Sequence, residues 1–170
     1  NCIVTGTSEG PSGTDDIATV KYSPEGTQIW AARHEVSSGG SSAAVGLAID
    51  DAGFIYIAGS SDNRNHSTDL LILKYDPDGT LIWSTAYDNP DHLDDIATAM
   101  AIAPSGDVVV AAQAVNVRGD ADYLTVCVDS TGALRWAAGY ERGSGFDDWV
   151  SAVAVSPAGD VSVTGLSTNH

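Results

Sequence analysis

Gly6-Thr7-Ser8-Glu9-Gly10 matches the pattern G-x-S-x-G, which in hydrolases sets a serine on a sharp strand-to-helix turn where its hydroxyl can attack an acyl carbon. Here Pro11-Ser12-Gly13 follows at the point where a helix would have to begin, and such residues punctuate loops. Ser8 is therefore expected at a strand exit rather than as a nucleophile. The four histidines, His34, His66, His92 and His170, have no mutual spacing suited to a metal centre. Cys2 and Cys127 form no CxxC pair, so neither a zinc knuckle nor a disulfide framework is indicated.

Aspartate is the richest source of chemistry. Asp76, Asp78, Asp88, Asp91, Asp94 and Asp95 fall within one short stretch, and a hard cation such as calcium takes six to eight oxygen ligands. They are the candidate calcium ligands. The competing reading is structural: a carboxylate just before a strand accepts backbone N–H groups and pins the loop. We prefer the structural reading and expect no bound cofactor. Arg118-Gly119-Asp120 reads as an RGD tripeptide and Asn65-His66-Ser67 as a glycosylation sequon. The first is expected to be a coincidence of a Gly- and Asp-rich loop, and the second matters only in a eukaryotic secretory path. Trp149 has no aromatic counterpart elsewhere in the chain's pattern; a local packing role is preferred for it over a binding anchor.

These groups sit in a chain of 170 residues and 17.5 kDa, 43% hydrophobic, with a formal charge of -16. Such a length suffices for one domain with a sizeable core. No apolar run approaches the ~18 residues of a membrane span, and the charge repels nucleic acid. Of the 23 acidic residues, 19 are Asp, which favours turns over helices. The same excess, set against two lysines, would also suit a high-salt habitat. The chain opens on Asn1 with no basic-then-apolar leader, and so reads as a processed or excised segment.

An internal repeat organises everything above. Trp30, Trp83 and Trp136 are spaced by 53 residues, as are Gly26, Gly79 and Gly132, and Gly53, Gly106 and Gly159. We expect these nine residues to be structural. Within each unit the hydrophobic pattern has period two and yields four strands, here A to D. In the second unit these are Ala99 to Ala103, Asp107 to Ala112, Asp122 to Asp129 and Ala133 to Tyr140. Turns such as Ser23-Pro24-Glu25-Gly26 and Asp76-Pro77-Asp78-Gly79 join consecutive strands as hairpins. Strand A alternates small and large residues in every unit, so a neighbour crowds one face.

Four antiparallel strands repeated at this period predict an all-β fold, a β-propeller with one blade per repeat and about three blades here. The Trp on strand D becomes a wedge between blades. The repeats fall at about 1–42 (strands B to D), 43–95, 96–148 and 149–170 (strands A and B).

The segment TDLLILKYDPDGTLIWSTAYDNPDHLDDIATAMAIAPSGDVVVAA resembles the bacterial and archaeal propeller-type repeat called SBBP, and the likeness recurs in all three units. It implies a propeller fold and structural, adhesive or scaffolding roles at the cell surface or outside the cell. It implies no catalytic residues. VDSTGALRW, Val128 to Trp136, is also similar to the tryptophan-docking blades of quinoprotein dehydrogenases, over strands C and D alone.

The expected function is a non-enzymatic propeller segment serving as a structural or protein-interaction module of a secreted or cell-surface protein, with a protein or glycan as ligand. The alternative is a fragment of a quinoprotein-like or lyase-like propeller enzyme whose active centre lies in other blades. Thirteen strands do not close a ring. The expected partners are therefore further blades of the same propeller, or a second copy of the chain completing composite blades.

Overall fold

The computed structural model describes residues 1–36, 39–62, 67–143 and 145–168. Its described elements are thirteen strands: β1(Cys2–Glu9), β2(Asp15–Tyr22), β3(Gln28–His34), β4(Ser42–Ile49), β5(Ile55–Asp62), β6(Thr68–Tyr75), β7(Leu81–Tyr87), β8(Asp95–Ile102), β9(Val108–Val115), β10(Ala121–Val128), β11(Leu134–Tyr140), β12(Asp148–Val155) and β13(Val161–Ser167). They form antiparallel sheets ordered β1-β2-β3, β4-β5-β6-β7, β8-β9-β10-β11 in sequence order, and β12-β13. We call these blades 1 to 3 and the terminal pair.

The turns follow from their residues. Gly26 N donates to Ser23 O at 3.0 Å and Ser23 N to Thr27 O at 2.8 Å, and Gly79 N donates to Asp76 O at 3.1 Å. The six repeat glycines of these hairpins all have positive φ, between 83° and 92°, the left-handed region in which a Cβ is strained. The hydroxyl or carboxylate that opens each turn bonds back. Ser23 Oγ accepts from Thr27 N at 3.3 Å, and Asp76 Oδ1 from Thr80 N at 2.8 Å.

Sheets stack face to face, and the core lies between them. Ile17 of blade 1 joins Ile55, Ile57, Leu71, Leu73 and Tyr75 of blade 2, with Trp30 and Leu47 against them. The other face of blade 2, with Tyr56, Ala58, Leu70 and Ile72, meets Val108, Val110, Leu124 and Val126 of blade 3. Blade 2 is thus covered on both sides. That is why β6 reads LLIL rather than an alternation. The first strand β8 contacts both β4 and β12, and a Cβ at Gly46 of β4 would lie 2.8 Å from Met100 Cγ of β8. Small residues on one first strand admit a large residue of the next, as the alternation predicted. The fourth strand is the outermost, and all of β11 is exposed.

Strand A differs from its sequence reading. It begins at Asp95, four residues before Ala99, because a bulge between Ala97 and Ala99 breaks the register and hides the period-two pattern.

Candidate functional site

Strand ends and turns bring the polar side chains of this chain to the seams between blades, so the candidate site is a repeated joint. At the first seam, Trp30 Nε1 donates to Pro77 O at 3.1 Å, and a Cβ at Gly79 would lie 2.7 Å from Trp30 Cδ2. At the second, Trp83 Nε1 donates to Ser130 O at 3.1 Å, and a Cβ at Gly132 would lie 2.8 Å from Trp83 Cδ2. Each indole therefore lies on the glycine of the next blade's third turn, with its N–H held by a carbonyl two residues before that glycine. The glycine is needed twice over, for its positive φ and for the ring above it. Lysine supplements the joint: Lys21 Nζ reaches Pro77 O at 2.7 Å, and Lys74 Nζ reaches Ser130 O at 3.2 Å. Lys74 is buried, and its ammonium lies 4.7 Å from the centre of the Phe54 ring, which offsets part of its desolvation.

Trp136, at the equivalent position of blade 3, is 39% exposed, and no third turn lies over it among the described residues. Its lysine equivalent is Cys127, a free thiol that burial pushes above its usual pKa.

Aspartate and serine stitch the opposite ends of the blades. Asp95 is fully buried; its carboxylate accepts from Asn89 N and Asn89 Nδ2, both at 2.7 Å. Asp94 Oδ1 accepts from Thr68 N at 2.8 Å, and Asp147 Oδ1 from Ala121 N at 3.0 Å. In the first unit Ser42 Oγ accepts from Ile17 N at 3.1 Å, and Arg33 pairs with the buried Asp16 at 3.1 Å. The positions matching Arg33 hold Ala86 and Gly139, so the later seams keep two acidic side chains without that cation. Burial raises Asp95 from 3.8 to about 6, with Asp88 and Asp69 adding to the rise against the Asn89 bonds.

That shift has a sign. An acid whose folded pKa is raised holds its proton more tightly when folded, so its stabilising contribution is complete below its unfolded value. It is lost as pH rises from about 4 to about 6. Urea titrations at several pH values should show Asp95→Asn losing this segment of the wild-type pH dependence. An unchanged profile would mean that Asp95 titrates normally.

The calcium candidates do not come together. Asp76 and Asp78 lie on the β6–β7 turn, whereas Asp88, Asp91, Asp94 and Asp95 lie beyond the far end of β7. A seven-residue strand spans roughly 20 Å, too far to share an ion. Asp76 Oδ1 caps its own turn through Asp78 N and Thr80 N, Asp88 holds His92 Nδ1 at 2.7 Å, and Asn89 Oδ1 accepts from Asp91 N. Among the described residues no group of three or more His, Cys, Asp or Glu side chains converges as metal ligands do.

The remaining motifs are placed as follows. Ser8 lies within the extended strand β1, not on a sharp turn, and its Oγ accepts from Arg33 Nη2 at 2.9 Å. Ser60, the counterpart of Thr7, accepts from Ala97 N at 2.8 Å. In the RGD tripeptide Arg118 Nε bonds Asp120 Oδ2 at 3.3 Å, and Arg118 also pairs with Glu141, so the tripeptide is folded on itself. Trp149 is 47% exposed on β12 beside Leu166. His66, His170 and the first two residues of the sequon lie outside the described residues.

A family model for the SBBP β-propeller repeat matches residues 37–65, which include β4 and β5, the inner strands of blade 2. Over those residues the chain is similar to the SBBP repeat. No curated protein matches the chain. The SBBP match falls on one of the three units that share the 53-residue spacing of Trp and Gly. All of the strands are antiparallel, as propeller blades require.

Proposed function

We propose that this chain is a non-catalytic blade segment of a β-propeller, serving as a structural or protein-interaction module of a secreted or cell-surface protein. One observation supports the reading: the candidate serines and the two aspartates where strand β8 begins are engaged in hydrogen bonds that fix strands and loops, within a blade or across a seam. Ser8, Ser42, Ser60, Asp94 and Asp95 all accept hydrogen bonds that fix strands or loops. What remains at the surface are rim loops and outer strands, the surfaces repeat architectures use for contact.

The reading is tested by where the protein resides. Antibody against the folded chain should label intact, unpermeabilised cells or the culture medium. Signal confined to the cell interior would contradict it. Treatment with a fluorophosphonate should leave the intact mass unchanged, and an adduct on Ser8 would make the protein a hydrolase instead.

Stability should not depend on calcium. One site saturated at 100 times its Kd would contribute about 2.7 kcal/mol, so losing it would lower the melting temperature visibly. Chelation is expected to leave the transition in place. A fall of several degrees would make the loop aspartates ligands.

A further inference from the structure

The corner beside Asp16 in blade 1 holds a guanidinium. Arg33 Nη1 donates to Asp16 Oδ2 at 3.1 Å and to Ser8 O at 2.8 Å, and Arg33 Nη2 donates to Ser8 Oγ at 2.9 Å. Two repeats on, blade 3 keeps the acid as Asp122 but has Gly139 at the place of Arg33 and Ala114 at that of Ser8. All three line a groove of about 360 Å³ in the seam between blades 2 and 3, whose walls also include Tyr87 and Asp91. Both of these blades have four strands. The volume is at the lower end for a ligand site.

Nothing in the fold asks for a glycine at 139. It is not one of the glycines of positive φ, and among the described residues a Cβ built there meets only Tyr123 O, at 3.6 Å, an ordinary contact. A glycine inside a strand weakens it and often marks a bulge or a close approach by a ligand or another backbone. The pairing of β10 with β11 is regular from Tyr123 to Cys127, so no bulge lies there. The acid that the glycine uncovers is short of partners. Asp122 Oδ2 accepts from Asn116 Nδ2 at 2.7 Å, whereas Oδ1 is buried and accepts from nothing among the described residues. Arg118 acts on it only at a distance and is paired with Asp120 and Glu141. Burial therefore holds Asp122 above the usual carboxylate pKa, opposed by the Asn116 bond, with Glu141 and Asp148 adding to the rise. Asp122 as a whole is only partly buried and lines the groove, so a cation there would face its charge.

We propose that this groove binds an arginine side chain of a partner protein, its guanidinium set against Asp122 in the place that Arg33 takes beside Asp16. Charge argues for a cation, since Asp91 and Asp122 line the groove and no Lys, Arg or His does. Blade 1 argues for a guanidinium, whose planar fork bonds a carboxylate and a neighbouring oxygen together. A protein is the source because the groove opens beside β11, which is exposed along its whole length, so an extended segment can lie there and send one side chain inward. The proposal rests on the interaction-module reading above and names the chemistry of the partner.

The test is calorimetry of the full chain at low salt with a blocked Gly-Gly-Arg-Gly-Gly peptide. One site with a Kd of about 1 mM or tighter is expected. Asp122→Asn should weaken it about 10-fold or more. Gly139→Arg should abolish it, because the chain's own guanidinium then takes the site. Citrulline in place of the peptide's arginine keeps the shape without the charge, and should also weaken binding about 10-fold or more. That comparison uses wild type and decides even where a variant unfolds. Equal binding by the citrulline peptide or by a lysine peptide overturns the proposal, as does an isotherm without saturation up to about 10 mM. Binding that survives both variants overturns it too, by placing the peptide elsewhere on a chain of charge -16. Blocked arginine that binds as tightly as the peptide would overturn the protein source in favour of a small guanidinium compound. Failure of this assay leaves the surface location of the chain standing, and interior labelling of cells leaves the groove standing, so the two readings fail separately.

Discussion

Replacing Trp83 by alanine will lower the stability of the chain by about 3 kcal/mol, whereas the same replacement at Trp136 will cost less than about 0.5 kcal/mol. The two residues share one repeat position and one strand type, so propensity and transfer terms nearly cancel between them. What differs is the cover. Trp83 is partly buried, packs edge-on to Tyr56 with ring centres 6.3 Å apart, and spends its N–H on Ser130 O. Its removal leaves a void over Gly132 and takes from the Ser130 carbonyl one of its two donors, the other being Lys74 Nζ. Trp136 is 39% exposed and has no turn lying over its ring among the described residues. The partial exposure of Trp83 puts its figure at the lower end for a truncated core aromatic. Chemical denaturation of both variants, with unchanged slopes, is the measurement. Equal losses at the two positions would mean that the joint contributes nothing.

Gly132→Asn is expected to cost about 2 to 3 kcal/mol, and Gly26→Asn less than about 1 kcal/mol. Asparagine accepts the positive φ at either turn, so backbone strain is common to both. At Gly132 the new Cβ would lie 2.8 Å from Trp83 Cδ2 and 2.9 Å from Thr85 Oγ1. The ring must then leave. At Gly26 it meets open space. Trp83→Ala combined with Gly132→Asn should cost much less than the sum of the single changes, because both remove one contact. Additive losses would place ring and turn apart.

The fold was legible because the repeat acts at several levels at once. Period-two strands, Pro- and Gly-bearing turns and the spacing of Trp83 and Gly79 agree in every unit, and such agreement is what specifies a structure. Strand A was misplaced by four residues for a local reason. The bulge before Ala99 flips the side-chain parity, and Asp95, a turn former by type, opens a strand because its carboxylate is occupied by Asn89.

The site was legible only in part. That Trp30 and Trp83 lie between blades follows from their period, but their target does not. Nothing in Trp83 itself names Gly132, 49 positions on, since a ring-on-turn contact between blades leaves no local pattern. The signal available was the co-occurrence of Trp and turn Gly at one period. The position of Trp136 in its unit is identical to those of Trp30 and Trp83, so its different exposure has no signal in the sequence around it. The candidate aspartates are close in sequence but not in space. Asp78 and Asp88 are ten positions apart, yet a strand running away from the turn carries them to opposite ends of the blade.

The central claim is that blades join through an indole lying on a turn glycine. Proton NMR of the chain tests it at all three glycines together, because a Cα proton held against an indole face is shifted upfield by the ring current. The account predicts strongly upfield Cα protons for Gly79 and Gly132, each with a nuclear Overhauser contact to Trp30 or Trp83, and an ordinary shift for Gly26. Ordinary shifts at Gly79 and Gly132, or the same shift at all three, would contradict it.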